Sequence, residues 1–341
     1  MVIYRNSTVS TTMPDNPEAD LFKTDYSRWL KLELAKQDEF SRLSQVTSTS
    51  CGEMEYALIG KGPIVLALHG GPGGFDQSLF LFEQITRSGF SLLAPSRPGY
   101  LKTPLSTGKT MEEQADAVAA LLDTLKIDRV ALAFGSAGGP SGYNFAIRHP
   151  DRVTALVAVD AVVSQYLLPM NVGPLTEALF LSGPGERFLD FFSHEFPRQT
   201  LQMLLKQESI LRDEQISRQV DAAYSDPVQM AFALRFVRSM SEFSKRKIGV
   251  ENDMLQFKTL FDLPVDKIQC PAFIIHGTHD GDVPFYHGVY AWENIKNADK
   301  LWVCEGSHFC AWIHPDSGVV QEKMMQFLLN NHKENSGSVT R

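Results

Sequence analysis

The residues best placed to do chemistry in this chain stand where apolar runs end. Residues 129–142, RVALAFGSAGGPSG, carry such a run straight into Ser136, then a Gly-rich turn, then a helical segment from Pro140 to His149. A serine on a sharp strand-to-helix turn has its hydroxyl exposed above the sheet and close to the N-terminus of the next helix. Small neighbours are needed because the backbone folds tightly around the nucleophile. Gly138 and Gly139 supply that room, and the Ala137 N–H then points at an oxyanion. Taken alone, the same G-S-x-G turn also fits a helix cap or a phosphate loop.

Three further segments offer partners. HGGPGG, residues 69–74, follows an apolar run. Its glycines let the backbone approach a ligand and aim an N–H at it. Gly71 is the candidate second oxyanion donor, with Gly70 as its neighbouring alternative, and His69 is expected to order its own loop. FIIHGTHDGDVP, residues 273–284, places Asp280 in the loop after a strand, where a carboxylate reaches a histidine over the sheet edge. Asp282 is the backup, although its place before Val283-Pro284 reads as a helix start. WVCEGSHFCAW, residues 302–312, brings His308 after a strand and a Gly-Ser pair, 28 positions beyond Asp280. Ser136, Asp280 and His308 therefore occur in the order nucleophile, acid, base. His276, His279, Asp280 and Asp282 do not make a metal signature, because H-x-x-H in a loop is weak without further ligands. No metal or organic cofactor is expected.

Such residues need a rigid frame. IVLALHG (64–70), FSLLAPS (90–96), RVALAFG (129–135), TALVAVD (154–160), AFIIHG (272–277) and KLWVCEG (300–306) read as buried strands. Several are unbroken apolar runs, as expected where helices cover both faces of a parallel sheet. Thr110 with Glu113 three residues on forms a capping box, followed by helical periodicity through Val118, Leu121, Leu122 and Leu125. This alternation predicts a doubly wound α/β domain. The rhythm breaks between about Ser164 and Asp266, a helical stretch edged by Pro169 and by Leu263-Pro264. It carries Phe180, Phe188, Phe191, Phe192, Phe196, Phe232, Phe236, Phe243, Phe257 and Phe261. These rings suit an apolar pocket, or more simply the core of the helical stretch itself. Residues 1–20 read as a mobile tail, and residues 21–45 as a helix packed on the outside of the domain.

Composition narrows the partners. The formal net charge of −8 disfavours nonspecific nucleic-acid binding, which needs clustered Lys and Arg. The one basic run, Lys245-Arg246-Lys247, reads as a solvated helix face. No segment reaches the roughly 18–20 apolar residues of a membrane span, and the N-terminus has no apolar signal region. Cys51, Cys270, Cys304 and Cys310 have no metal-ligand spacing and read as buried thiols, consistent with a cytoplasmic protein.

With HGGPGG, SRPGY (96–100), the Ser136 turn, GxxDxxVP (277–284) and GSH (306–308) in order, the chain from about 52 to 332 resembles the α/β-hydrolase superfamily. The resemblance implies an α/β-hydrolase fold: a mostly parallel sheet with helices on both faces and a helical cap inserted before the acid-bearing strand. It partitions the chain into an N-terminal extension (1–50), a core (51–163 and 267–341) and a cap (164–266). It also implies serine hydrolysis of an acyl compound by Ser136, Asp280 and His308, with Gly71 and Ala137 as the oxyanion hole. A carboxylester with an apolar group is the leading substrate. C–C bond hydrolysis, a proline iminopeptidase-like amidase, and a noncatalytic ligand receptor on the same fold are the alternatives. The departure from the family is Phe134, two before the serine where a small residue is usual, and Gly135 is expected to relax the turn instead. The oligomeric state stays open.

Overall fold

The structure, a computed structural model, describes residues 2–3, 17–167, 191–240 and 243–336. Nine strands lie in one sheet among these residues: β1 (Val2–Ile3), β2 (Gln45–Thr49), β3 (Gly52–Gly60), β4 (Ile64–Leu68), β5 (Ser91–Pro95), β6 (Val130–Gly135), β7 (Val153–Val159), β8 (Ala272–Gly277) and β9 (Ala298–Val303). Their order is β1-β9-β8-β7-β6-β4-β5-β3-β2. From β5 to β1 every pairing is parallel, and only β2 with β3 and β3 with β5 run antiparallel.

The central strands lack alternation because both of their faces are buried. Ala133, Val157 and Ile275 belong to one apolar layer, with Leu79 and Phe82 of the helix Phe75–Phe82 and Val320, Met324 and Leu328 of the helix Ser317–Ser336. Leu132, Ala158 and Ile274, one residue out of phase, belong to the other. Val118, Leu121 and Leu122 of the helix Met111–Thr124 pack there, joined by Phe145 of the helix Gly139–Arg148. The capping box forms as expected: Thr110 Oγ1 accepts from Glu113 N at 3.2 Å, and the Glu113 carboxylate accepts from Thr110 N at 2.9 Å.

Two features correct the sequence reading. The sheet starts at Gln45 rather than after residue 50, because β2 and β3 form a hairpin around Ser50 and Cys51, with Gly52 at φ +132°. Val2–Ile3, expected in the mobile tail, add a short parallel edge to β9 beside Trp302 and Val303. Two helices, Pro17–Thr24 and Tyr26–Ser41, follow, and Trp29 is buried.

Between β7 and β8 the described chain is helical, with helices Pro197–Gln207, Asp213–Tyr224, Pro227–Met240 and Lys247–Phe257. Its residues meet the segments that follow the carboxyl ends of the strands. Arg246 pairs with Asp76 after β4, and Asp253 with Arg97 after β5. The carbonyl of Glu208 accepts from Gly281 N after β8 and from His308 N after β9. The basic run is therefore corrected too. Lys245 and Lys247 are exposed, but Arg246 is buried with its guanidinium on the Asp76 carboxylate and the Gly73 carbonyl.

Phe134 is accommodated from across the turn. Gly135 is extended, at φ −144°, and does not relax it. Instead the fully buried Phe134 ring lies over Gly142 of the following helix, where a Cβ would fall 2.4 Å from the ring, and meets Tyr143 edge to face. A bulky residue before the serine thus requires a missing side chain on the helix that follows it. Gly142→Ala is expected to lower unfolding free energy by about 1–3 kcal/mol, as overpacking does. In a Phe134→Ala background the same change should cost little. Urea titration of the four proteins measures the coupling, and additive costs would contradict this packing.

Candidate active site

Ser136 adopts φ +51°, a conformation uncommon for a residue with a side chain. The turn is held from below by Ser136 N donating to Asp160 O at 3.2 Å and Val162 N donating to Ser136 O at 3.1 Å. It also brings backbone into contact with backbone. A Cβ on Gly138 would sit 2.6 Å from His69 O, and one on Gly139 would sit 2.1 Å from Val162 O. The glycines expected to make room here are therefore needed on steric grounds.

The HGGPGG loop lies against this turn. A Cβ on Gly70 would fall 3.0 Å from Ser136 Cβ, and one on Gly71 would fall 3.4 Å from Ala137 Cβ. Gly70 donates its N–H to Gln77 Oε1 at 2.9 Å, so of the two glycines it is Gly71 that keeps the role of candidate donor. His69 is a loop organiser. Its Nε2 accepts from Arg97 N at 2.9 Å, which leaves Nδ1–H to donate to Gly70 O at 2.7 Å. Burial and the neighbouring Arg97 charge hold it neutral, well below the ordinary histidine range. Arg97 donates to the His69 and Gly70 carbonyls and pairs at 2.6 Å with Asp253, which also accepts from Tyr100 OH at 2.7 Å. SRPGY is thus a brace between the glycine loop and the helical segment.

Asp280 and His308 are brought together, with Asp280 Oδ2 2.8 Å from His308 Nδ1. The other carboxylate oxygen accepts from the N–H groups of Asp282 and Val283 at 2.8 and 2.9 Å. Burial alone would raise the Asp280 pKa, but His308 and His276 bring it down to about 2. Asp282 is not a helix start, since the helix Tyr286–Asn294 begins later. Its carboxylate accepts from Tyr166 OH, and its Oδ2 lies 3.5 Å from His308 Nε2. The two aspartates therefore flank opposite nitrogens of one imidazole. Burial opposes the imidazolium, yet Asp280 and Asp282 outweigh it and raise the His308 pKa well above 6.5. Glu208 joins them, and burial together with Asp282 pushes it up to about 8.

Two clusters bring ligand-type atoms close enough to share a cation: Asp160, His276 and Asp280, and Glu208, Asp282 and His308. Only part of the H-x-x-H segment enters them, because His279 Nδ1 faces Thr278 Oγ1 at 3.0 Å. Ser141 is no rival to Ser136, as its hydroxyl donates to Gln114 Oε1. Of the cysteines, Cys270 and Cys310 are buried, whereas Cys51 is exposed and Cys304 half-buried.

Ser136 and His308 open on a common cavity of about 200 Å³, which Gly71, Ala137, Glu208 and Asp282 also line. Its apolar wall includes Leu81, Val162, Met254, Phe309 and Trp312. Of the phenylalanines picked out between residues 164 and 266, Phe236 and Phe257 face it. Phe232 stacks on Trp312 in the core, and Phe191, Phe196 and Phe261 are exposed. Phe180 and Phe188 lie outside the described residues.

The sequence model of one family, described as the alpha/beta hydrolase fold, matches residues 63–315. An alpha/beta hydrolase fold protein from Nakamurella multipartita is 35% identical and superposes with a TM-score of 0.80, over 83% of this chain and 98% of that one. The chain belongs to the α/β-hydrolase family. It is accordingly a hydrolase. Among curated relatives, an uncharacterized hydrolase of Bacillus subtilis, YcgS, is 27% identical over 81% of this chain and 95% of its own length. The 2-hydroxy-6-oxo-6-phenylhexa-2,4-dienoate hydrolase of Burkholderia cepacia is 24% identical over 76% of this chain and 85% of its own. The enol-lactonase of Burkholderia xenovorans LB400, at 18% identity and a TM-score of 0.57 over 85% and 100% of the two chains, shares the fold.

This α/β-hydrolase contains residues around the candidate site that sequence reading missed: Tyr166, Glu208, Arg246 and Asp253. No local pattern marks them, because each owes its place to a partner far along the chain. The charge around His308 has a kinetic consequence. As the candidate general base, His308 would act only when neutral, so kcat/KM should rise with pH along a limb centred above 6.5. Asp282→Asn removes a negative charge near Nε2 and should move that limb down by about one unit. An unchanged limb in a pH–rate profile would show that Asp282 does not sense the imidazole.

Proposed function

We propose that the protein hydrolyses carboxylic esters bearing an apolar group through an acyl-enzyme on Ser136. The observation that carries this is the Asp280–His308 pair at 2.8 Å, opening with Ser136 on one apolar-walled cavity. His308 takes the Ser136 proton as the oxygen attacks the ester carbonyl, and Asp280 holds the imidazole in the required tautomer. The N–H groups of Gly71 and Ala137 stabilise the tetrahedral oxyanion. Collapse expels the alcohol, which leaves with the proton from His308. Water, deprotonated by the same imidazole, then releases the acid and restores Ser136. The described helices between residues 191 and 257 act as a cap over the cavity, to whose wall Phe236, Met254 and Phe257 contribute.

Relatives that hydrolyse dienoates suggest C–C cleavage as a second reading. Dienoates are carboxylates, however, and among the described residues the cavity wall holds no Lys or Arg while Asp282 lines it. A neutral ester avoids that repulsion. Nitrophenyl esters of graded acyl length test the assignment, run with a neutral acyl group beside one of similar length ending in carboxylate. Neutral esters should turn over at least tenfold faster. Ser136→Ala and His308→Ala should each lower kcat by about 10³-fold or more. Both variants matching wild type would refute the mechanism, and so would the absence of Ser136 labelling by a fluorophosphonate, the result expected of a noncatalytic receptor.

A further inference from the structure

Asp160 is the first residue beyond β7, and it touches all three segments that carry the proposed catalytic groups. Its carbonyl accepts from Ser136 N at 3.2 Å. Its Oδ1 accepts from Gly277 N at 2.8 Å, at the end of the strand that leads to Asp280. Its Oδ2 accepts from the Cys310 thiol at 3.1 Å, two residues past His308. The residue is 1% exposed and adopts φ +47°.

A residue needed only for the turn would be served best by glycine, which carries no penalty at positive φ. Here a carboxylate is buried instead, at the desolvation cost that burial of an acid entails. Both of its oxygens are engaged, and no Lys or Arg pairs with it in the described structure. The group beside it that can carry positive charge is an imidazole. His276 Nε2 donates to Val283 O at 2.9 Å and lies 3.8 Å from Asp160 Oδ1 and 3.4 Å from Asp280 Oδ2. His276 thus sits between two carboxylates, and Asp280 is shared by two imidazoles.

We propose that Asp160 is a positioning residue for the hydrolytic reaction, tying the acid and base loops to the Ser136 turn and, with His276, setting the charge behind Asp280. The inference rests on the serine mechanism proposed above. The groups facing Asp160 are His276 and Asp280 from the β8 side, Cys310 and His308 from the β9 side, and Ser136 from the β6 side. Burial raises the Asp160 pKa to about 6 against the pull of His276, so the carboxylate is charged when His308 works as a base. Burial and Asp160 together keep the Cys310 thiol protonated, the form that donates.

Asp160→Asn keeps size and an acceptor for Gly277 N but removes the charge. With a neutral nitrophenyl ester, kcat should fall 10- to 100-fold while KM stays within about twofold. The His308 midpoint should move to lower pH, read both from the acidic limb of kcat/KM and from NMR titration of the imidazole protons. A second pair covers the case in which Asp160→Asn does not fold: Cys310→Ala loses the donor and should lower kcat about tenfold, whereas Cys310→Ser keeps one and should stay within threefold of wild type. A folded Asp160→Asn protein with wild-type kcat and an unmoved His308 midpoint overturns the proposal. Equal activity of the two Cys310 variants overturns the tie to the base loop. Wild-type protein that neither turns over esters nor labels at Ser136 defeats the mechanism itself, and the NMR midpoint still decides whether Asp160 acts on His308.

Discussion

The main chain at Ser136 must pass through a left-handed conformation while two other strand ends crowd against it. Space is made by what the surrounding residues lack. Gly138 and Gly139 allow the carbonyls of His69 and Val162 to come within reach of the turn, and Gly70 allows the glycine loop to lie on the serine itself. The same constraint explains the exchange between Phe134 and Gly142. Interiors are close-packed, so volume added on the strand side has to be removed on the helix side.

A second layer of interactions makes the helical segment part of the site. Arg97 with Asp253, a fully buried pair, and the buried Arg246 with the half-buried Asp76 join the segment to the loops after β5 and β4. Buried ion pairs add little net stability relative to apolar residues, but removing one partner leaves a charge unpaired and is costly. Such pairs therefore act best as geometric locks. The Glu208 carbonyl adds a third lock by accepting from both Gly281 and His308. His308 is held through its backbone by the segment that also forms the cavity wall.

Much of this was legible from the linear chain. Buried parallel strands announce themselves as unbroken apolar runs, and β4 to β9 begin and end close to where those runs do. Thr110 with Glu113 marked a helix start because a capping box is made within four residues. Ser136, Asp280 and His308 stood out as candidates because a nucleophile, acid and base set on this fold keeps chain order. The hairpin of β2 and β3 was missed because QVTST is polar and half exposed, so its apolar signal is weak. Arg246 was misread because its partner Asp76 lies 170 positions away. Asp282 was misread because its neighbours Val283-Pro284 resemble a helix start while its carboxylate faces Tyr166 and His308.

Sequence alone determined the fold class, the order of the reactive groups and the need for glycine around the serine, since those depend on local backbone sterics and on hydrophobic periodicity. Only tertiary structure decided which glycine N–H is already engaged by Gln77, which aspartate faces which imidazole nitrogen, and what charge surrounds His308. Those outcomes depend on how loops and helices from different parts of the chain are set against one another. Buried electrostatics follow distance in space, and separation along the chain does not encode it.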